Sequence, residues 1–591
     1  MTSPAESRGA DQRVGTIRTI LLTGSILIGC GGFILFLRYG AADGLDWMDV
    51  VRATLILLST FWLAWGALQA FAGLTTKPPL RPRHDGPITS RCVILVPVYN
   101  EDPAATFTRI AAMDTSLRRT GFGERFDIAI LSDTRDESVA EAEKRGFLRL
   151  IALTGAEGRL FYRRRETNRG RKAGNIEDFI TRSGAAYDLA VILDADSLME
   201  GDTIVEMVRR MEADPRLGLL QSLPQIVNAR SRFGRIQQFA AAFYSPVFCR
   251  GLAMMQGRTG PFWGHNAIVR VRAFAESCGL PELSGKPPFG GHILSHDYVE
   301  AALLARAGWS VRVDDDLTGS FEEGPENMVL HAKRDRRWCQ GNLQHPRLLA
   351  APGLRLWSRF VFLQGILAYL SPVIWLAFLL CSIVAPLFAP PIDYFPIEGW
   401  RWPVIPVSQA SQAIALAVCI IGLLFLPKIL ILIDAALRGR TTGFGNAGKA
   451  AGAVGAELLF SAIAAPVFLM FNTRSVLQVL AGSDGGWPAQ SRGDGVMSLS
   501  EAWMASRWIV ISGAWGIGLS LWLSPALLPW LVPVLVPMLL SPVIIAWSSA
   551  PARSGIFQTP PQSSMPAILV LEQHFGKLWQ AEDKAQRVTA A

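Results

Sequence analysis

The apolar residues of this chain are gathered into long runs, and those runs leave few folds open. Thr19–Leu37 and Val51–Leu74 are each near the ~20 residues a helix needs to cross ~30 Å of hydrocarbon. From about Lys77 to Arg355 no run is long enough to span. Then follow Phe360–Leu387, Ala410–Ile433, Ala453–Phe471, Trp508–Leu523 and Leu527–Trp547. A soluble core large enough to hide seven such helices would need far more than 591 residues. The chain therefore reads as a multi-span α-helical membrane protein with a long polar insert. Composition agrees, with 50% hydrophobic residues, 18% charged residues and a mean hydropathy of +0.28. It excludes a disordered, collagen-like or disulfide-stapled protein. The 7 cysteines are scattered without a Cys-x-x-Cys pair, which fits reduced thiols in the cytosol or the membrane.

The first run lacks a small-residue cleavage site and a second span follows closely, so a retained anchor is expected rather than a signal peptide. Arg8, Arg13 and Arg18 precede it and favour a cytoplasmic N-terminus. Two crossings return the chain to the cytoplasm and place the insert there. Pro390–Pro406, aromatic and poor in charge, reads as an external loop, whereas Arg438, Arg440 and Lys449 mark the next loop as internal. Ala453–Phe471 contains Glu457 and Pro466 and is expected to lie in the interface or re-enter. That leaves six spans and a cytoplasmic C-terminal tail; the prolines of 524–542 are tolerable where neighbouring helices satisfy the freed backbone groups. The expected organisation is a short N-terminus (1–18), two spans (19–75), a cytosolic domain (88–345), two spans with a short outer loop (355–436), an interfacial helix and loop (450–507), two spans (508–548) and a tail (549–591). The net charge of +8 sits near spans and turns rather than in one stripe, which argues against nucleic acid and for a membrane-lipid setting.

Within the insert, RCVILVPVYNE, FDIAILSDT, RLFYRRRE, DLAVILDAD and LGLLQSLPQ read as strands, separated by amphipathic helices such as TFTRIAAMDTSLRRT. Apolar strands alternating with helices argue for a mostly parallel α/β sheet covered on both faces. Ligands bind such sheets beyond the carboxyl ends of the strands. There the sequence places Pro97-Val98-Tyr99-Asn100-Glu101, Asp133, and Asp194-Ala195-Asp196. Acidic strand ends sharing one edge repel unless something positive lies between them. A divalent metal with a nucleotide diphosphate is the economical answer, although an Asp-x-Asp alone is more often a solvated turn. Arg169-Gly170-Arg171-Lys172-Ala173-Gly174-Asn175 opens the next helix, where flexible glycines and cations suit a phosphate; a solvated basic turn is the plain alternative. There is no Gly-x-Gly-x-x-Gly and no P-loop, so a dinucleotide oxidoreductase or an NTPase lacks its phosphate motif. Ser295-His296-Asp297 starts a helical run. Asp297 can both cap that helix and accept a proton, because a capping carboxylate stays ionised. Arg334-Asp335-Arg336-Arg337-Trp338 precedes the third span: a lipid-facing basic helix, or an arginine clamp for pyrophosphate beside a tryptophan that stacks on sugar.

Taken in order, Asp133, Asp194/Asp196, Asp297 and Arg334-x-x-Arg337-Trp338 resemble the motifs of the processive membrane synthases of glycosyltransferase family two, which include cellulose and hyaluronan synthases. The resemblance covers roughly residues 90–345 and the flanking spans. Here the second-strand motif is Ser-Asp-Thr, the base motif is Ser-His-Asp, and Arg334 replaces a Gln. With GPFWGHNAIVR, LSHDYVEAALLARAGW and RDRRWCQGNLQHPRL, these departures are similar to the glucans biosynthesis glucosyltransferase H group, which makes the backbone of osmoregulated periplasmic glucans. Some members carry a long N-terminal extension, whose roles do not transfer to a chain with about 18 residues there. The resemblance implies a GT-A-like, Rossmann-like catalytic domain in a bacterial inner membrane, facing the cytoplasm. It also implies inverting, Mg2+- or Mn2+-dependent polymerisation of glucose from UDP-glucose into a β-1,2-linked glucan, with export. Asp297 would be the base and Asp194 and Asp196 the metal pair. Pro97, Tyr99, Glu101, Asp133, Lys172, Asn175, Arg334 and Arg337 would hold the nucleotide sugar. Trp263, His265, Asn266, His296 and Trp338 would form the acceptor site at a channel mouth, and Trp487, Gln490 and Arg492 a gating loop. Acyl carrier protein and periplasmic glucan-modifying proteins are the partners the resemblance implies. Another β-glycan synthase, or a nucleotide-binding transporter without catalysis, remains the alternative.

Overall fold

A computed structural model describes the chain except residues 1–3, 41–43, 77–80, 390–393, 395–400, 404–409, 485–494, 553–554 and 591. Most of the expected outer loop and the whole of Trp487, Gln490 and Arg492 lie outside the described residues.

The insert folds around a seven-stranded sheet. In spatial order its strands are Leu160–Arg164, Phe126–Ser132, Cys92–Val98, Leu189–Ile192, Ala267–Arg270, Leu217–Ser222 and Ser310–Asp314. Only Ala267–Arg270 runs against the others. The continuous apolar runs are what a sheet buried on both faces requires: Cys92–Val96 and Phe126–Ser132 are buried at every position. A short second sheet joins Leu198–Met199, Ser320–Glu323 and Gln225–Val227. The chain leaves Cys92–Val98 in one direction for the second and third strands, then returns to place Leu189–Ile192 on its other side. That reversal opens a crevice at the carboxyl ends of these two strands, where α/β folds bind ligands.

Among the described residues, five helices are long and apolar enough to cross a membrane: Asp11–Gly40, Trp47–Thr75, Leu356–Leu387, Ala410–Leu437 and Ala447–Leu480. Pro525–Leu539 and Ser541–Ser549 together form a sixth candidate, bent by 55°. Two expectations change here. Trp508–Leu523 lies within a helix, Leu499–Leu523, that is not among these candidates, because its first turns carry Glu501, Ser506 and Arg507. Ala453–Phe471 is no short re-entrant piece but the middle of an unbroken 34-residue helix.

Hydropathy would let Ala447–Leu480 cross, and its contacts run both to the inserted domain and to the apolar helices Leu356–Val384 and Ala410–Leu437. Glu457 accepts from Tyr244 Oη at 3.0 Å and from Lys428 Nζ at 2.6 Å. Phe460 and Phe468 meet Phe233, Phe468 meets His331, and Val476 and Val479 pack with Cys339 and Leu343. The ends of the chain also differ from free tails. The first helix begins at Pro4, and Arg18 donates to the Met255 and Gln256 carbonyls at 2.8 and 2.9 Å. The last helix, Ala567–Ala590, packs on Pro103–Arg119 through Phe575 and Trp579, and Arg149 pairs with Asp583 at 2.6 Å.

The second span meets the domain backbone to backbone. A Cβ at Gly73 would overlap the Val247 carbonyl, and one at Gly251 would overlap that of Gln69. Gln69 Nε2 donates to the Phe248 carbonyl at 3.0 Å in the same crossing. Gly251→Val should therefore force the helices apart, costing about 1–3 kcal/mol or more. A lower thermal midpoint of the detergent-solubilised protein would show it, and an unchanged midpoint would contradict the close approach.

Candidate active site

The crevice opens into a cavity of about 1540 Å³ that runs towards the membrane helices. Lys172, Asp194, Asp196, His265, Asp297 and Arg334 line it, together with Trp263, His296, Arg337 and Trp338. Asp194 and Asp297, 103 positions apart in sequence, thus share one space because Asp194 and Asp196 follow a central strand while Asp297 lies in the first turn of the helix His296–Arg306.

Lys172 connects the two sides. It stands in the first turn of Arg171–Ser183, behind Gly170, whose φ of +70° is left-handed. Its ammonium pairs with the Asp194 carboxylate and donates to the Gly264 carbonyl at 2.7 Å. Gly264 itself has φ +83°, and a Cβ there would lie 3.8 Å from Asp297 Oδ2. The base candidate and the Lys172–Asp194 pair therefore face each other across the width of one glycine. Burial pushes the Asp194 carboxyl up, but Lys172 and then His265 outweigh it and hold the group below the usual carboxylate range. With 41% of its side chain open to the cavity, Asp194 stays ionised at neutral pH. At Asp297 burial prevails and holds the carboxyl above its ordinary value, against the opposing pull of His296 and a backbone hydrogen bond. A carboxylate with a raised pKa is a stronger proton acceptor once ionised. His296 is held by Glu300, 3.0 Å from its Nδ1.

Arg334, Arg337 and Trp338 share one face of the helix Met328–Asn342, as spacings of three and four dictate. The Arg334 guanidinium lies 4.7 Å from the Trp338 ring centre, and Trp338 is 46% exposed. Burial and neighbouring Arg334 lower the Arg337 pKa, while Asp194 and Glu101 oppose the fall, which places Glu101 in the same field. The donor set suits a hard cation only in part. Asp194 and Asp196 offer oxygens to the cavity, but no group of three metal-ligating side chains exists among the described residues. A cation here would need ligands from a bound diphosphate, and Lys172 would have to share Asp194.

Three expected ligand contacts are occupied by the fold. Asn175 is 1% exposed; its Nδ2 donates to the Leu131 carbonyl at 3.0 Å and its Oδ1 accepts from Arg163 at 2.5 Å. It ties the helix to the sheet instead of facing ligand. Asn266, wholly buried, donates to Ser320 Oγ at 2.8 Å and the Phe321 carbonyl at 3.2 Å, so it links the two sheets instead of meeting an acceptor. Asp133 gives both oxygens to Arg165, each at 2.7 Å, and any contact with a base must share that ion pair. Pro97, Tyr99 and Glu101 sit half-buried at the end of the first strand, outside the cavity lining. His265 Nε2 is 3.5 Å from Glu322, which also lines the cavity. The sequence reading passed over Arg109, Arg165, Glu322 and the last helix. A lone Arg on an amphipathic helix carries no motif, and a tail has none until it docks. Asn175→Ala should cost about 1–3 kcal/mol by stranding the Leu131 carbonyl. It should lower the thermal midpoint while leaving the KM for the sugar donor unchanged; a raised KM would restore Asn175 to the binding site.

Residues 93–277 match the model of glycosyl transferase family 2, and residues 189–427 match that of glycosyl transferase family group 2. Over 99% of both chains, the protein is 60% identical to a glucans biosynthesis glucosyltransferase H of Cereibacter sphaeroides. The chain belongs to the glucans biosynthesis glucosyltransferase H family. A Bradyrhizobium diazoefficiens member is 40% identical over 94% of this chain and 75% of its own. Among solved structures, a mannosyltransferase of Pyrobaculum calidifontis in complex with GDP-Man and Mn2+ aligns over 66% of this chain and 96% of its own, at 16% identity and TM-score 0.44. Membership in the glucosyltransferase H family makes this protein a glycosyltransferase of glucan biosynthesis, and the transporter alternative falls. Its domain is of the GT-A-like type, with a mostly parallel mixed sheet, and its apolar helices fit a membrane protein.

Proposed function

We propose that this protein transfers glucose from UDP-glucose, with inversion, onto a growing β-1,2-linked glucan and passes the product through the bacterial inner membrane. Asp297 takes the proton of the acceptor hydroxyl as that oxygen attacks the anomeric carbon, and UDP leaves from the opposite face. Asp194 and Asp196 hold Mg2+ or Mn2+, which when bound offsets charge on the departing diphosphate. Arg334 and Arg337 grip the diphosphate, and Trp338 stacks on the acceptor sugar. The observation that carries this reading is the pairing across Gly264: a raised-pKa carboxylate on one side, an ionised Asp with Lys172 on the other.

Export and orientation rest on two further supports. Gly365, Ala368, Tyr369 and Asn472 of the apolar helices line the same cavity as the acidic residues, which supports a polymer leaving the site towards those helices. We read the catalytic domain as cytoplasmic, with Ala447–Leu480 along the membrane surface. The last helix docks on the catalytic domain, so the tail lies on the same side. Acyl carrier protein and periplasmic modifying proteins are the proposed partners, on opposite faces of the membrane.

The test is incorporation of radiolabelled sugar by purified protein in lipid, comparing UDP-glucose, UDP-GlcNAc and UDP-glucuronate with Mg2+, followed by linkage analysis. A β-1,2-glucan from UDP-glucose alone is expected. A β-1,4 product would keep the mechanism and overturn the linkage. Incorporation that survives removal of divalent metal would remove the metal from the scheme.

A further inference from the structure

We propose that Arg109 is a positioning residue for the Asp194–Asp196 loop and that Glu572 of the C-terminal helix holds it in place, making that helix part of the nucleotide site. Arg109, on Pro103–Arg119, is 5% exposed and directs its donors three ways. Nη1 reaches the Ala195 carbonyl at 3.2 Å, Nη2 reaches Glu323 Oε1 at 2.7 Å, and Nε reaches Glu572 Oε1 at 3.1 Å. A rigid planar fork serves this purpose and a lysine does not, because all three directions are set together. Ala195 lies between the two acidic residues, so fixing its carbonyl fixes the peptide planes that aim both carboxylates. Asp196 in turn acts electrostatically on Arg109. Glu572, Gln573 and Gly576 line the same cavity as Asp194 and Asp196.

A simpler account makes Glu572 an anchor for the tail. The tail already has anchors elsewhere. Trp579 is 6% exposed, sits against Phe107 with ring centres 6.2 Å apart, and lies 4.1 Å beneath the Arg149 guanidinium, while Asp583 pairs with Arg149. Arg109 adds nothing to those contacts; its other two donors go to the acidic loop and to Glu323. Without Glu572 a buried guanidinium loses one acceptor and is free to turn, and the Ala195 carbonyl loses its fixed partner.

The inference rests on the proposed role of Asp194 and Asp196 as the metal–diphosphate pair. The experiment is Mn2+-dependent binding of UDP to the full chain in lipid nanodiscs, with thermal midpoints measured alongside. Glu572→Leu, which removes the acceptor at similar volume, and Arg109→Lys should raise the Mn2+ needed for half-maximal UDP binding by about tenfold or more, the usual effect of removing a residue that orients a metal ligand. Trp579→Leu should lower the thermal midpoint but leave the Mn2+ requirement of the folded protein unchanged. An unchanged requirement in Glu572→Leu, or an equal shift in Trp579→Leu, overturns the proposal. Asp196→Ala separates the two levels. If it abolishes Mn2+-dependent binding while Glu572→Leu does nothing, only the positioning role fails; if it too has no effect, the metal reading fails first.

Discussion

Asp297→Asn is expected to reduce sugar transfer by about 10²–10⁴-fold or more, the usual worth of a general base, while leaving UDP binding nearly intact. Asp297 lies in the first turn of His296–Arg306 behind the N-cap Ser295, not at the expected cap, so the substitution keeps the shape there and removes only the ability to take a proton. Asp297 lies on the far side of Gly264 from Lys172 and Asp194, so the nucleotide half of the site keeps its charges. Steady-state transfer and direct UDP binding measured on one preparation decide the matter; a parallel loss of UDP affinity would mean that Asp297 belongs to the binding site. The pH profile gives a second reading. Burial raises the Asp297 pKa, so as pH falls the base is protonated earlier than an ordinary carboxylate and kcat/KM declines from a higher pH. That acid limb should vanish from whatever activity the Asn variant retains.

Asp196→Ala is expected to weaken metal-dependent UDP binding by at least about 100-fold, since losing one ligand to a hard cation costs several kcal/mol and each ~1.4 kcal/mol is tenfold. Chelation of the wild-type protein should reproduce the loss, and the variant should lose the difference between metal-free and metal-loaded binding. The number of protein ligands makes this effect large. With no cluster of three ligating side chains among the described residues, the protein has few oxygens to spare, and removing one leaves the cation to the diphosphate and water. If UDP binding by Asp196→Ala keeps its full response to Mn2+, Asp196 is not a ligand, and Lys172 with the two arginines neutralises the diphosphate unaided.

The legible parts of this molecule are those whose signal is local. Strand ends such as Leu193-Asp194 and Leu131-Ser132-Asp133 announce themselves because the apolar run gives way to polar residues where the strand leaves the sheet for the crevice. The Arg334–Trp338 face follows from helical spacing. Asn175 and Asn266 were misassigned for the converse reason: a polar side chain beside a motif looks functional until its hydrogen bonds are counted, and both satisfy buried backbone groups. Hydropathy likewise could not set the course of Ala447–Leu480. A 34-residue apolar helix meets the length rule for a span, yet Glu457, Phe460 and Val476 join it both to the inserted domain and to neighbouring apolar helices, partners that hydropathy does not record.

By itself, then, the order of residues determined a set of long apolar helices and a mostly parallel α/β domain with acidic strand ends, since periodicity and strand-end chemistry act within a few residues; the order of its motifs carried the resemblance to glycosyltransferases. Only the tertiary structure decided that Asp297 faces Lys172 across Gly264, that Asp133 is tied to Arg165, and that the C-terminal helix reaches Arg109 beneath the acidic loop. Those contacts join residues tens to hundreds of positions apart. They depend on how buried charges find partners once the sheet has closed, which no local pattern records.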